Sequence, residues 1–492
     1  MPGHKRGAGC PWQFSKVFGK EVMRNDTTEL PPLDNLQCAT GVLQEAQALC
    51  AAAWGAQQSF FLVNGTTVGT QAAVWSLVSG PEDKVLLQRN AHKSGIASLI
   101  ISGASPVFLA PAYDDELQTA VSVTAAGVAA AFAEHPGIAV VLITRPTYEG
   151  HCADVAAIAA VCRAHGAALV VDEAHGAHLA FGCGLTPRPA LEMGADIVVQ
   201  SVHKTLSALT QASLLHVAKG ACARVSADRI QSCLNLLQTS SPSYVLMASL
   251  DAARAQVTAS GGEGSGVGGG AGGPVAGGPV ARAARLAMGA AAAIAALPGL
   301  SVFGTEGYGA TQDPTRLTVV VRGLGLSGFT AKQLLYDAHG LAPELASPNA
   351  VSFIVSVGNT QRDLDRVVAA FARLSTEHAA RAERSAPSFP QETAPCLLPS
   401  ALLVSVPVVA PRVVFRAAQE KVPLALAVGR VAAELVCPYP PGIPVLLPGE
   451  CVGADAAAYV AAVRAVGCRV AGLDAQGRVS VLAIDPRGGT PN

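Results

Sequence analysis

Charge is scarce in this chain: Asp, Glu, Lys and Arg make up 14% of its 492 residues, and 34 basic against 35 acidic side chains leave a net charge of −1. That balance excludes a nucleic-acid or anionic-membrane partner recruited by bulk electrostatics. Long apolar runs are missing too. Half the residues are hydrophobic and the mean hydropathy is +0.37, yet no uninterrupted stretch approaches the roughly 20 residues that cross a bilayer. Twelve cysteines are scattered without a CxxC pair, which argues against a disulfide scaffold or a zinc site and for reduced thiols. A signal-peptide pattern is absent as well. The chain opens instead on Pro2-Gly3-His4-Lys5-Arg6-Gly7, which reads like the interior of a protein, so we expect further residues upstream, a targeting segment among them. Together these features point to a soluble protein of a reducing compartment, cytoplasm or plastid stroma, with large buried cores and no metal.

What is present alternates. Between residues 36 and 250, helical spacing (42–54, 69–78, 122–134, 154–165) trades places with short β-branched runs at 59–63, 84–87, 106–109, 139–143, 168–171 and 197–200. Strands this apolar are buried on both faces, and the intervening helices predict a mostly parallel α/β sheet. Ligands of such sheets bind beyond the carboxyl ends of the strands. Residues 259–281 hold eleven of the 50 glycines without periodicity and read as a flexible insertion. The expected organisation is a large domain at 1–258, the insertion at 259–281, a small α+β domain at 282–375, a Pro-rich linker at 376–400 and a C-terminal domain at 401–492.

The strand ends carry the chemistry. Leu169-Val170-Val171-Asp172-Glu173-Ala174-His175 closes a buried run on a carboxylate, which is costly unless a cation meets it. The protonated ring nitrogen of pyridoxal phosphate is one such cation; a helix cap or an arginine partner is the ordinary alternative. The same letters spell a helicase DEAH box. That reading fails, because the required GxxxxGK[ST] loop is missing and the one Gly-Lys pair, Gly19-Lys20, precedes Glu21. The run at 197–200 leads into Ser201-Val202-His203-Lys204-Thr205. A partly desolvated lysine there has a lowered pKa and can attack an aldehyde, although most lysines are merely solvated. Lys204 follows Asp172 by 32 residues, one crossover unit of a parallel sheet, so neighbouring strands would present both to one pocket. Asn64-Gly65-Thr66-Thr67 reads as an anion site at a helix start or as a plain cap. Arg89-Asn90-Ala91-His92 sets an imidazole after another strand, where it could stack on a flat ring or serve no site at all.

In this order these stretches resemble the Orn/Lys/Arg decarboxylase family. The resemblance runs through PGHKRG (2–7), SFFLVNGTTVGTQAA (59–73), RNAHKSGIASLIISGASPVFL (89–109), PTYEGHCADVAAIA (146–159), LVVDEAHGAHLAFG (169–182), ADIVVQSVHKTLSALTQASLLHV (195–217), LQTSSPSYVLMASLDAAR (237–254) and VPLALAVGRVAAELVCPYPPGIPVLLPGE (422–450). It implies an α/β fold, the pyridoxal-phosphate-dependent transferase fold type I, with a mostly parallel large-domain sheet and smaller α+β C-terminal domains. It implies the cofactor pyridoxal 5'-phosphate, held as a Schiff base on Lys204 with His203 beside it. Asp172 would pair with the pyridine nitrogen and His92 would stack on the ring. Thr66, Thr67 and Ser201 would bind the phosphate, and Ala174 and His175 would line the other ring face. Such sites form at a dimer interface, so a homodimer or higher homo-oligomer is expected, with Thr239 and Ser240 near the neighbouring subunit's cofactor. Glu434 and Glu450, flanking PYPPGIP, are the candidates for the substrate's distal cation. The chain departs from the long members of the family in lacking their N-terminal wing domain, and its glycine-rich insertion is not a family feature.

The implied activity is decarboxylation of arginine, lysine or ornithine to the corresponding polyamine-pathway amine. Lys204, Asp172 and His203 are the catalytic candidates, with Asp172 sustaining the cofactor as electron sink and His203 or Lys204 returning a proton to Cα. One fold hosts many reactions, so an aminotransferase, another lyase or a non-catalytic homologue stands as the alternative. The HKTL and PYPPGIP stretches and the intact Lys204, Asp172 and His92 set favour the decarboxylase.

Overall fold

Short runs of Val, Ile and Leu gain nothing as solvent-exposed strands; they are stable when layered between helices. The computed structural model describes residues 2–114, 119–259, 277–304, 311–382, 406–439, 444–465 and 468–483, and in it the runs are used in that way. Seven strands form one sheet: β1 (Gln58–Leu62), β2 (Lys84–Gln88), β3 (Ser105–Leu109), β4 (Ile138–Thr144), β5 (Ala168–Asp172), β6 (Ile197–Gln200) and β7 (Ser213–Val217). Their order across the sheet is β1-β7-β6-β5-β4-β2-β3. Neighbours from β6 to β3 run parallel, whereas β7 is antiparallel to both β6 and β1. Sequence reading did not anticipate β7, because Ser213 and His216 interrupt its apolar residues and leave no strand pattern of the usual length.

The period-2 alternation of strands decides which residue faces which layer. Leu142, Val170, Ile197 and Val199 pack on the side covered by helices Gly65–Leu77, Lys93–Ser102 and Ala227–Leu237. Their neighbours Val141, Leu169, Val171 and Val198 face helices Ala125–Glu134 and Val155–Ala164. Approach on the first side is tight: a Cβ on Gly69 would lie 2.5 Å from both Leu62 Cδ1 and Val199 Cγ1, so only glycine lets that helix sit so close to the sheet. The helix begins at Gly65 rather than at 69, which puts both threonines in its first turn.

A second sheet, antiparallel throughout, orders Ser301–Val302, Arg316–Val320, Ala350–Ile354 and Leu345–Ala346 beneath helices Pro279–Ala295 and Gln361–Ala382. The first of these helices starts inside the expected insertion, with Pro279 in its first turn, where a missing N–H is harmless. The second runs into the stretch expected as linker, since Glu-His-Ala-Ala-Arg-Ala continues its helix-forming composition. Residues 260–276 of the expected insertion, 383–400 of the expected linker and 401–405 of the expected C-terminal domain lie outside the described residues.

The C-terminal part pairs Gln419–Pro423 with Arg478–Leu482 and Cys437–Tyr439 with Arg469–Ala471 around helix Ala454–Ala465. Its core of Val436, Val445, Leu446, Val460, Val479 and Val481 takes in Ala120 from the far side of the large sheet's connections. No described helix is long and apolar enough to cross a membrane.

Candidate active site

Adjacent parallel strands deliver their carboxyl ends to one place. Asp172, the last residue of β5, pairs with Val199 of β6, and Lys204 follows β6 after one turn. Both line a cleft together with Thr66, His92, Ala174 and His175. Asp172 is buried at 5% exposure, and its Oδ1 accepts the Ala174 N–H at 3.1 Å. Burial drives the Lys204 amine below its ordinary value while the Asp172 charge pulls the other way. Lys204 Nζ lies 3.1 Å from His175 Nε2. Burial first, then Arg316 and Lys204, hold His175 well below the usual imidazole range, so it stands there as a neutral ring. Arg316 Nη2 donates to the His175 carbonyl at 2.9 Å and fixes that turn from below.

His92 reaches the cleft at the N-cap of helix Lys93–Ser102, its Nδ1 2.9 Å from Ser94 Oγ. Burial, opposed by Asp172, lowers its pKa as well. At the opposite end Thr66 Oγ1 and Ser201 Oγ meet at 2.9 Å. Helix Gly65–Leu77 has no side-chain cap at its N-terminus, so its first N–H groups and these hydroxyls are available to an anion. An amine, a buried carboxylate, an imidazole face and an uncapped helix N-terminus around one cleft fit the aldehyde, ring nitrogen, ring face and phosphate of pyridoxal phosphate.

Other expected residues fall elsewhere. Ser201 is fully buried behind Thr66, and Thr67 is half-buried in the same turn but does not line the cleft. His203 is half-buried with Nδ1 3.0 Å from the Ala212 carbonyl, and it too is absent from the cleft wall. Glu434 is exposed and away from the cleft. Glu450 is buried in a bidentate pair with Arg89, its Oε2 also accepting the Leu447 N–H at 2.8 Å. That carboxylate is taken up by the arginine that anchors the C-terminal part to the end of β2. Thr239 and Ser240 are exposed, and the Thr239 N–H donates to Asn64 Oδ1 at 3.1 Å, beside the turn that feeds the cleft.

The outer wall holds residues that sequence reasoning missed. Tyr148, Glu149, Thr119, Leu435 and Cys437 all line the cleft, and the Tyr148 ring lies 4.7 Å from that of His175. A signal existed for Glu149: β4 ends at Thr144, so the strand-end rule that singled out Asp172 applies to the turn that follows it.

Comparison with known proteins places the chain in a family. The chain matches the family profile described as Orn/Lys/Arg decarboxylase, major domain, over residues 1–265, and the corresponding C-terminal domain over residues 398–480. It is 36% identical to an arginine decarboxylase of Halalkalibacterium halodurans across 94% of this chain and 89% of that protein. An arginine decarboxylase of Bacillus subtilis is 34% identical over 94% and 89% of the two chains. Among solved structures, lysine decarboxylase A from Pseudomonas aeruginosa superposes with a TM-score of 0.79 at 23% identity, covering 98% of this chain and 78% of that one. A Sphingomonas wittichii serine palmitoyltransferase shares the fold more distantly, with a TM-score of 0.54 at 15% identity over 74% of this chain and 84% of the other. The chain therefore belongs to the Orn/Lys/Arg decarboxylase family, as a pyridoxal-phosphate-dependent decarboxylase of a basic amino acid.

Proposed function

We propose that the amino acid is arginine, that the product is agmatine, and that the working assembly is a homodimer in a reducing compartment. The two relatives compared above, both arginine decarboxylases, support the choice of substrate. What carries the catalytic reading is one observation: Lys204, Asp172 and His92 line a single cleft. Lys204 Nζ, whose proton affinity burial lowers, is the amine that would carry the cofactor, and Asp172 would hold a proton on the ring nitrogen. Thr66, backed by Ser201, and the first turn of helix Gly65–Leu77 bind the phosphate. The His92 ring covers one face of the cofactor and Ala174 the other. When bound, the cofactor supplies an electron sink for the bond that breaks as CO₂ departs.

This chain's own groups do the rest. The neutral His175 Nε2 accepts a hydrogen bond from Lys204 Nζ at 3.1 Å and keeps that amine oriented. After CO₂ leaves, a proton must be added at Cα; Lys204 Nζ, on the cleft wall where the substrate amine enters, is the donor. His203, bonded to the Ala212 carbonyl, supports Lys204 from outside the cleft. The exposed Thr239 and Ser240, beside Asn64, favour the approach of a second copy at this end.

The test is to supply the purified protein with arginine, lysine and ornithine in parallel and identify the amine formed, with Lys204→Ala as control. Agmatine from wild type alone supports the reading. Full turnover in Lys204→Ala would overturn it.

A further inference from the structure

Three glutamates are buried around this cleft, and they are not treated alike. Glu173 accepts from Arg145 Nη1 at 2.9 Å, the Ala190 N–H at 3.0 Å and Gln200 Nε2 at 2.7 Å. Glu450 is held by Arg89. Glu149 is buried as well, at 8% exposure, but among the described residues no Lys or Arg forms an ion pair with it. The donors its carboxylate meets are all neutral: Thr119 Oγ1 at 2.7 Å, the Thr147 hydroxyl and its own backbone N–H. A desolvated carboxylate without a cation is unfavourable, and the position is not one that can relax. Glu149 is tied through its carbonyl to Gln312 Nε2 at 2.7 Å. The next residue, Gly150 (φ +98), packs so closely that a Cβ there would lie 2.7 Å from Arg316 Cβ.

What distinguishes Glu149 from the two paired glutamates is that it lines the cleft. The wall runs from Lys204 through His175 to the Tyr148 ring and on to Glu149. Leu435 and Cys437 of the C-terminal part enclose the same end, and Ala120, locked into the C-terminal core, holds Thr119 over the carboxylate. A substrate whose α-amine is engaged at Lys204 must direct its side chain away from that lysine. A guanidinium is planar and offers two parallel N–H donors to a carboxylate.

We propose that Glu149, oriented by Thr119, is the specificity-determining carboxylate that receives the substrate's distal cation. The inference rests on the basic-amino-acid reading above. It assigns the role to the turn after β4, whereas Glu434 lies on the surface and Glu450 is taken by Arg89. The missing partner of the third buried glutamate is then the substrate itself, and the outer end of the cleft stays electrostatically incomplete until substrate arrives. A neutral side chain of the same shape would leave the carboxylate unpaired, which is how a buried polar site rejects an analogue.

Product binding separates this proposal from the reaction. The holoenzyme is titrated calorimetrically with agmatine and with its neutral urea counterpart, carbamoylputrescine, for wild type, Glu149→Gln and Thr119→Val. Wild type should prefer agmatine by roughly 100-fold, the scale of a lost charge-assisted contact. Glu149→Gln, which still accepts the Thr119 hydroxyl, should lose most of that preference, and Thr119→Val should lose part of it. In turnover the same loss should appear as a raised KM for arginine with kcat changed far less. If wild type shows no preference, or Glu149→Gln keeps it, Glu149 does not read the cation. Should Glu149→Gln fail to accumulate as folded protein, Glu149→Asp, which withdraws the carboxylate by one methylene, decides the question in the same way. Agmatine preference without amine release from any basic amino acid would instead defeat the decarboxylase reading and leave this one standing.

Discussion

The inner and outer ends of the cleft are built on different rules. At the inner end Asp172 closes one strand and Lys204 sits on the single helical turn that follows its neighbour. Their charges are opposite, and the Asp172 charge counters part of the desolvation of Lys204. At the outer end Thr119, Glu149, Leu435 and Cys437 converge from three remote segments, and the only ionisable carboxylate among them meets threonine hydroxyls and, among the described residues, pairs with no Lys or Arg. A site whose charges are already balanced can hold a cofactor through every turnover. A site left one cation short is suited to a ligand that comes and goes.

That contrast can be broken at several points. The largest effect is expected for Lys204→Ala, which removes the amine that carries the cofactor: turnover should fall by about 10⁴-fold or more, and borohydride should no longer lock cofactor onto the chain. Next comes Arg145→Met, which leaves Glu173 buried without its cation. Thermal or denaturant unfolding should register a loss of about 3–5 kcal/mol, the usual result of orphaning a buried charge. Asp172→Asn should lower kcat by roughly 10²–10³-fold through the lost stabilisation of the ring proton, read in steady-state kinetics on protein that still shows the cofactor's absorption.

The smallest effect is the sharpest test of the comparison. Burial raises the Glu149 pKa above the ordinary 4.5, against the lowering bond from Thr119. The folded protein therefore holds this proton to higher pH than the unfolded chain does, and its contribution to stability is present below pH 4.5 and is lost as pH rises through the raised value. Glu149→Gln removes that dependence. Wild type should lose stability relative to the variant as pH climbs from 4.5, by no more than about 1–3 kcal/mol, in paired unfolding curves. A parallel pH trend in the two proteins would mean that the carboxylate carries no uncompensated charge.

The inner end was legible because its chemistry is written next to its structure. Asp172 and Lys204 each close a strand whose apolar letters announce it, and the spacing between them is one crossover. His92 and Thr66 were readable for the same reason. Three roles were harder. Glu450 and Glu434 were plausible as acids flanking a distinctive motif, but sequence does not record that Arg89 reaches across to one of them and that the other faces water. His203 adjoins Lys204 in sequence, yet consecutive residues of a helical turn point in different directions, and Ser201 lies buried against Thr66, so nearness to a reactive lysine in the chain does not bring a residue into its cleft.

By itself, then, the sequence determined the parallel layering of the large sheet, since runs of Val, Ile and Leu buried on both faces have few other uses, and with it the cofactor end of the cleft. Only the tertiary structure decided the direction of β7, the continuation of helix Gln361–Ala382 past the expected boundary, and the partner of each buried glutamate. The physical reason is range. Strand ends and helix starts are local in the chain, whereas the ion pairs of Glu173 and Glu450 and the solitude of Glu149 depend on which distant segments the hydrophobic core brings together.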